Sequence, residues 1–414
     1  MFKKDFYLNK LFLAFFALVL INIIFIFILI FGSFGFGGGS YSELRSIENR
    51  AVNFEEALKF FTDLAKDKGA RYAFSALKVV NFQSDIDLHL LGHGIGDILY
   101  KQEGVDGMTV CDNDFRNACS HSMVIGLFND KGEDALKEVA EACRKAPGGV
   151  GAYTMCFHGL GHGILAYEGY DMEKASKICQ KTGTPQYNYN EATQCISGTV
   201  MEIIGGGFHD REIWEVQRKK YLNKNKPLSL CESSFISKEA KYLCYVYLTP
   251  YLFEAVGANL GKPTAKDFAK AFKFCDLIPK DKSSERDACF GGFGKEFDGL
   301  VQGRDIRQGS INNLSSTQLK QIYDWCLLAS NKLGINSCVV HALNSLYWGG
   351  ENERSVSVNF CTQIEDEFFQ GSCFNALINA VSYYIQDLNY RKLFCEELPE
   401  AYQPECNKIL NEKI

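Results

Sequence analysis

Apolar positions along the chain follow two regimes. Between Lys10 and Glu43 there is no charged residue, and Leu11 to Phe31 is a nearly unbroken run of Leu, Phe, Ile, Val and Ala. Its 21 residues match the roughly 20 that a helix needs to cross a bilayer core. Downstream the apolar residues become periodic, and two kinds of helix alternate. Amphipathic stretches with a start signal, such as Asp171 to Cys179 and Ser316 to Cys326, read as helices with one face to solvent. Stretches that are apolar nearly all round, such as those opening at Cys156, Cys244, Cys338 and Cys373, read as helices enclosed by others.

The cysteines give this alternation a period. All 16 lie at Cys111 or later and fall into consecutive couples. These are Cys111 with Cys119, Cys143 with Cys156, Cys179 with Cys195, Cys231 with Cys244, Cys275 with Cys289, Cys326 with Cys338, Cys361 with Cys373, and Cys395 with Cys406. Separations within a couple run from 8 to 16 residues, and the gaps between couples are longer. Such spacing is a repeat signature. Each unit is expected to be an outer helix, a polar loop and an inner helix, with a disulfide tying the end of one helix to the start of the next. A thiolate metal site would favour tighter spacing and a reducing compartment. A first unit lacks cysteine: Phe54 to Lys66 reads as its outer helix, and Asp87 stands where the inner-helix cysteine would be. The fold expected is therefore all-α, a series of tandem helical hairpins with intra-repeat disulfides behind one transmembrane helix. An open α-solenoid and a closed α/α ring are equally compatible with the pattern.

The order of these regimes sets the expected domains: a cytoplasmic N-terminus over 1–10, a membrane anchor over 11–32, a linker over 33–50 and an extracytoplasmic helical-repeat domain over 51–414. Lys3, Lys4 and Lys10 precede the span, while Glu43, Arg45 and Glu48 follow it, which places the C-terminal domain outside by the positive-inside bias. Gly32 to Gly37 makes a poor signal-peptide cleavage site, so an uncleaved anchor in the lipid bilayer is expected. The formal net charge is −6, with both signs interspersed. Nucleic acid is excluded as a partner by the lack of a basic cluster.

Chemistry concentrates in the histidines. There are seven, and five occupy matching places in three successive units. His89 and His93, like His158 and His162, are four residues apart, one helical turn on one face. His121 has the same offset from Cys119 as His158 has from Cys156. Asp97 extends the first stripe by another turn. This set, His89, His93, His121, His158, His162 and Asp97, is the expected metal site. Imidazole suits a transition metal ion such as Zn, Cu or Fe. The axial ligands of a haem are the alternative use, although covalent attachment is excluded because no Cys-x2-Cys-His occurs. His209, His341, Glu202 and Glu296 are weaker candidates, read as loop, core or partly solvated residues. The glycines Gly92, Gly94, Gly96, Gly159, Gly161 and Gly163 cost helix stability of about 1 kcal/mol each, and close helix packing is the expected return. Asn313-Leu-Ser315 is a glycosylation sequon.

No nucleophile elbow, phosphate loop or dinucleotide fingerprint accompanies these features. Two functions fit. One is a metal-dependent activity outside the membrane, its reaction unnamed by the sequence. The other is a disulfide-stabilised scaffold that binds a small molecule, peptide or membrane protein, with structural histidines.

Overall fold

The structure is a computed structural model that describes residues 41–82, 86–206, 210–302, 314–349 and 354–411. The chain divides into two compact units, Met1–Asn49 and Arg50–Ile414. In the first, the described residues form a 3-10 turn (Ser42–Leu44) and one helical turn (Arg45–Glu48). The expected membrane span lies outside the described residues. Among those described, no helix is long and apolar enough to cross a membrane.

The second unit is helical throughout its described residues. Its helices are α1 (Phe54–Lys68), α2 (Ala70–Val79), α3 (Leu88–Glu103), α4 (Ala118–Lys131), α5 (Leu136–Cys143), α6 (Gly149–Tyr167), α7 (Met172–Gln180), α8 (Asn190–Gly205), α9 (Arg211–Tyr221) and α10 (Ser229–Glu232). They continue as α11 (Lys241–Tyr247), α12 (Thr249–Ala255), α13 (Ala265–Asp276), α14 (Ser283–Leu300), α15 (Ser316–Cys326), α16 (Lys332–Gly349), α17 (Ser355–Thr362), α18 (Glu367–Tyr384), α19 (Leu388–Glu397) and α20 (Gln403–Asn411). The starts of the outer helices are set locally. Capping boxes stand at Asn53 with Glu56 and at Ser315 with Gln318, and Asp171, Asp210 and Thr264 cap α7, α9 and α13 by accepting from backbone amides. Asp87, in place of a cysteine, caps α3 by accepting from the Leu90 amide.

All eight couples are disulfides between chain neighbours. Two units depart from the uniform hairpin. Cys111 follows a 3-10 segment, Gly104–Val110, because only these seven residues separate it from α3, too few for an amphipathic helix. In the unit of Cys231 the amphipathic helix is α9, and Cys231 sits in a separate short turn after Pro227. The inner helix of that unit is also divided, into α11 and α12. Pro250 near the start of α12 has no amide hydrogen to continue the ladder.

The inner helices pack in succession: α6 on α8, α8 on α11, α11 on α14, α14 on α16 and α16 on α18. Helix α18 then returns to α6, where Thr154 Oγ1 and Tyr383 OH lie 2.8 Å apart in a hydrogen bond. Those six inner helices close a ring. Helix α4 packs on α6, and α3 on α4, as a two-helix extension. Glycines set the closest crossings. A Cβ at Gly161 would lie 2.0 Å from the Cys195 carbonyl oxygen, and one at Gly198 would lie 2.0 Å from that of His158. The α14–α16 crossing repeats the device, with Gly294 against the Cys338 carbonyl oxygen at 1.9 Å. Close backbone approach thus offsets the helix cost of these glycines.

Candidate metal centre

Three adjacent helices bring five imidazoles together. His89 and His93 stand one turn apart on α3, His121 stands on α4, and His158 and His162 stand one turn apart on α6. The ring centroids of the pairs are 4.7 Å apart for His89 and His93 and 5.0 Å for His158 and His162. His121 lies between the pairs, 6.1 and 5.8 Å from the first and 5.9 and 6.1 Å from the second. Small residues permit this spacing. A Cβ at Gly159 would fall 2.3 Å from the His121 ring, and one at Gly96 would fall 2.8 Å from Ser122 Cβ.

An unusual turn leads into α4. Phe115, Arg116 and Asn117 have φ of 52°, 55° and 64°, a left-handed succession that costs L-residues roughly 1–2 kcal/mol each. Its groups are held from several directions. Phe115 packs edge-on against Phe74, Asn117 Oδ1 accepts from Trp348 Nε1 at 3.3 Å, and Arg116 is buried in the field of Asp298 on α14. Ahead of the turn, Lys78 pairs with both Asp112 and Asp114. The turn also aims the Phe115 carbonyl at His89 Nδ1, 2.6 Å away.

The hydrogen bonds around the four paired histidines are compatible with a proton on every Nδ1. A carbonyl only accepts, so His89 Nδ1 donates to Phe115. His93 Nδ1 is 3.0 Å from Ser122 Oγ, which is also 3.0 Å from the His93 carbonyl; with the serine hydrogen on that carbonyl, Oγ accepts from His93 Nδ1. In the second pair, Ser197 Oγ gives its hydrogen to the Gln194 carbonyl and accepts from His158 Nδ1 at 2.8 Å. His162 Nδ1 donates to the buried carboxylate of Glu202 at 2.9 Å, which also accepts from Tyr170 OH. In that tautomer each Nδ1 is a donor, and Nε2 is the nitrogen that can meet a ligand.

In the first pair those lone pairs meet: His89 Nε2 and His93 Nε2 are 3.2 Å apart. His89, His93 and His121 offer ligand atoms that all lie within 4.8 Å of one another. His121 Nε2 is buried without a hydrogen-bond partner. Burial, reinforced by the surrounding imidazoles, holds His121 well below the usual histidine range. His158 is lowered in the same way, by burial first and then by His162 and Lys295. Neutral imidazole is the form that ligates.

The other expected residues fall elsewhere. Asp97 is exposed on α3 and does not join the three-histidine group. The next turn of α3 carries it past the end of the cluster. His209 and Asn313 lie outside the described residues. His341 Nε2 and Tyr242 OH share a hydrogen bond at 2.7 Å, and burial takes the imidazole down to about 4. Glu202 reaches His162, whereas Glu296, at the matching place in its own unit, pairs with Lys295. Ser122, Ser197 and the Phe115 carbonyl are outer partners that the sequence reading missed. No protein-family model, curated protein or solved structure matches the chain.

Proposed function

We propose that the protein binds a transition metal ion through Nε2 of His89 and His93 and a nitrogen of His121. One observation carries this reading. Two Nε2 atoms face each other at 3.2 Å while each Nδ1 has an acceptor beside it, the Phe115 carbonyl for His89 and Ser122 Oγ for His93. Two lone pairs at that distance repel unless a cation lies between them. The separation also suits a shared ion, because nitrogens bound tetrahedrally at about 2.0–2.1 Å stand about 3.3 Å apart. His121 brings the third nitrogen within a small side-chain adjustment. Three protein ligands leave a fourth position for water or substrate, the pattern of catalytic rather than structural ions. An ion held there would supply Lewis-acid polarisation or an activated water.

The spacing favours an ion over a haem, since rings at 4.7–6.1 Å between centroids leave no slot for a macrocycle between them. Eight disulfides and the apolar Leu11–Phe31 segment support a protein anchored in a membrane with its helical unit in an oxidising compartment. The ring also counts against the scaffold reading, because it removes the open concave face of a solenoid.

The test is elemental analysis of the full chain from an oxidising host, before and after exposure to zinc, copper or iron salts. The expected result is stoichiometric metal that His93→Ala removes while the far-ultraviolet circular dichroism stays unchanged. Folded wild-type protein that takes up no ion would mean that a shared proton, not a metal, joins His89 to His93.

A further inference from the structure

His158 and His162 repeat the one-turn spacing of the first pair, lie outside the group of three whose ligand atoms stand within 4.8 Å of one another, and are not used by the site just described. Each has an outer acceptor beside Nδ1, Ser197 or Glu202, so Nε2 is the nitrogen each ring can offer to an ion. They are one turn apart on α6, with ring centroids 5.0 Å apart against 4.7 Å for His89 and His93. A buried carboxylate behind a ligating histidine is a common outer partner in metal sites, and Glu202 occupies that position behind His162.

His121 is the element common to both pairs. Its centroid is almost equally distant from all four other rings, between 5.8 and 6.1 Å. Among the described residues neither of its nitrogens makes a hydrogen bond, and Nε2 is fully buried. A buried imidazole nitrogen left unused is costly. It is the state expected of a ring that ligates on two sides. Gly159 makes room for it against α6, so the ring is seated by close packing between the pairs.

We propose a second transition-metal site, formed by His158 and His162, with His121 as an imidazolate bridge between the two ions. The inference rests on the first site being a metal site. In the loaded form one nitrogen of His121 ligates the ion of His89 and His93, and the other ligates the ion of His158 and His162. The ring's single N–H proton is released to solvent as the second bond forms.

Copper(II) and zinc(II) are the probes, used on the full chain. Zinc analysis is expected to give two ions per chain. Removing either pair, as His89→Gln with His93→Gln or as His158→Gln with His162→Gln, should leave one. Single His162→Gln, at the more exposed member, serves if the double variant fails to fold. Copper-loaded wild type should show an electron paramagnetic resonance signal well below that of two isolated ions, because a bridging imidazolate couples their spins. His121→Gln should remove that coupling. One zinc per chain, unaffected by the His158 and His162 changes, would overturn the second site and leave the first intact. Two ions with the full uncoupled copper signal would overturn the bridge. No bound metal at all would defeat the first reading, and this one with it.

Discussion

The crossings α4–α6 and α14–α16 use the same parts. In each, a glycine accepts a histidine ring from the neighbouring helix: Gly159 takes His121, and Gly291 takes His341, with a hypothetical Cβ 2.3 Å from the ring in both cases. They differ in what the ring nitrogens meet. His341 Nε2 has a tyrosine hydroxyl, Tyr242 OH, at 2.7 Å, whereas His121 Nε2 has no hydrogen-bond partner and stands among four other imidazoles. A glycine–histidine contact is therefore part of the architecture of this fold. Unused nitrogen lone pairs separate the chemical instance from the structural one.

The α14–α16 crossing shares a second device, a glycine against a backbone carbonyl, with the α6–α8 crossing next to the site, and it can be broken equally in both. Gly161→Ala and Gly294→Ala each place a methyl group about 2 Å from a backbone carbonyl oxygen, which cannot rotate away. Each should cost at least about 1–3 kcal/mol of stability, the usual penalty for overpacking, read from denaturant or thermal unfolding. A large loss in only one of them would mean that the two crossings are not equivalent.

The chemical difference is sharpened by removing one outer partner from each side. Ser122→Ala takes away the acceptor of His93 Nδ1 and should weaken metal binding by about 10–100-fold, with little change in melting temperature. Tyr242→Phe leaves His341 Nε2 buried and unsatisfied, at a stability cost of about 1–3 kcal/mol. Metal affinity should not change. Isothermal titration with zinc beside thermal melts separates these outcomes, and a Tyr242→Phe protein with reduced affinity would contradict the division of roles.

A smaller effect is expected from pH. Asp298 on α14 is fully buried, and burial pushes its carboxyl up to about 7. Its folded value exceeds that of an unfolded aspartate, about 3.9. Its contribution is therefore most favourable below pH 4 and is lost as pH rises through 7. Asp298→Asn should accordingly match wild type near pH 4 and melt at a higher temperature near pH 8. A difference that stays constant across this range would show that the carboxyl does not titrate with folding.

Much of this was legible in the residue order, and the limits have a physical cause. Neighbour pairing of the cysteines held for all eight bridges, because a hairpin brings consecutive cysteines together whatever the packing around it. The five clustered histidines were equally visible, since helical period and shared offsets put them on facing surfaces. Their outer partners were not. Ser122 and Ser197 act on histidines of the preceding inner helix, so their roles depend on how two helices cross. Glu202 and Glu296 occupy matching places, yet only Glu202 faces an imidazole. The left-handed turn at Phe115 to Asn117 has no glycine to announce it. Ring closure depends on surface matching between α6 and α18, with no periodic trace in either helix.

Assembly during synthesis follows from the same connectivity. The chain is made N-terminus first, and no disulfide waits for a distant partner, so each bridge can form as its hairpin emerges without later exchange. The five histidines and their outer partners are all complete once Glu202 has appeared. Thr154, by contrast, waits 229 residues for Tyr383. A nascent chain thus holds the full ligand set while α6 still lacks its closing neighbour, and the last hairpins act as a final seal on a centre already formed.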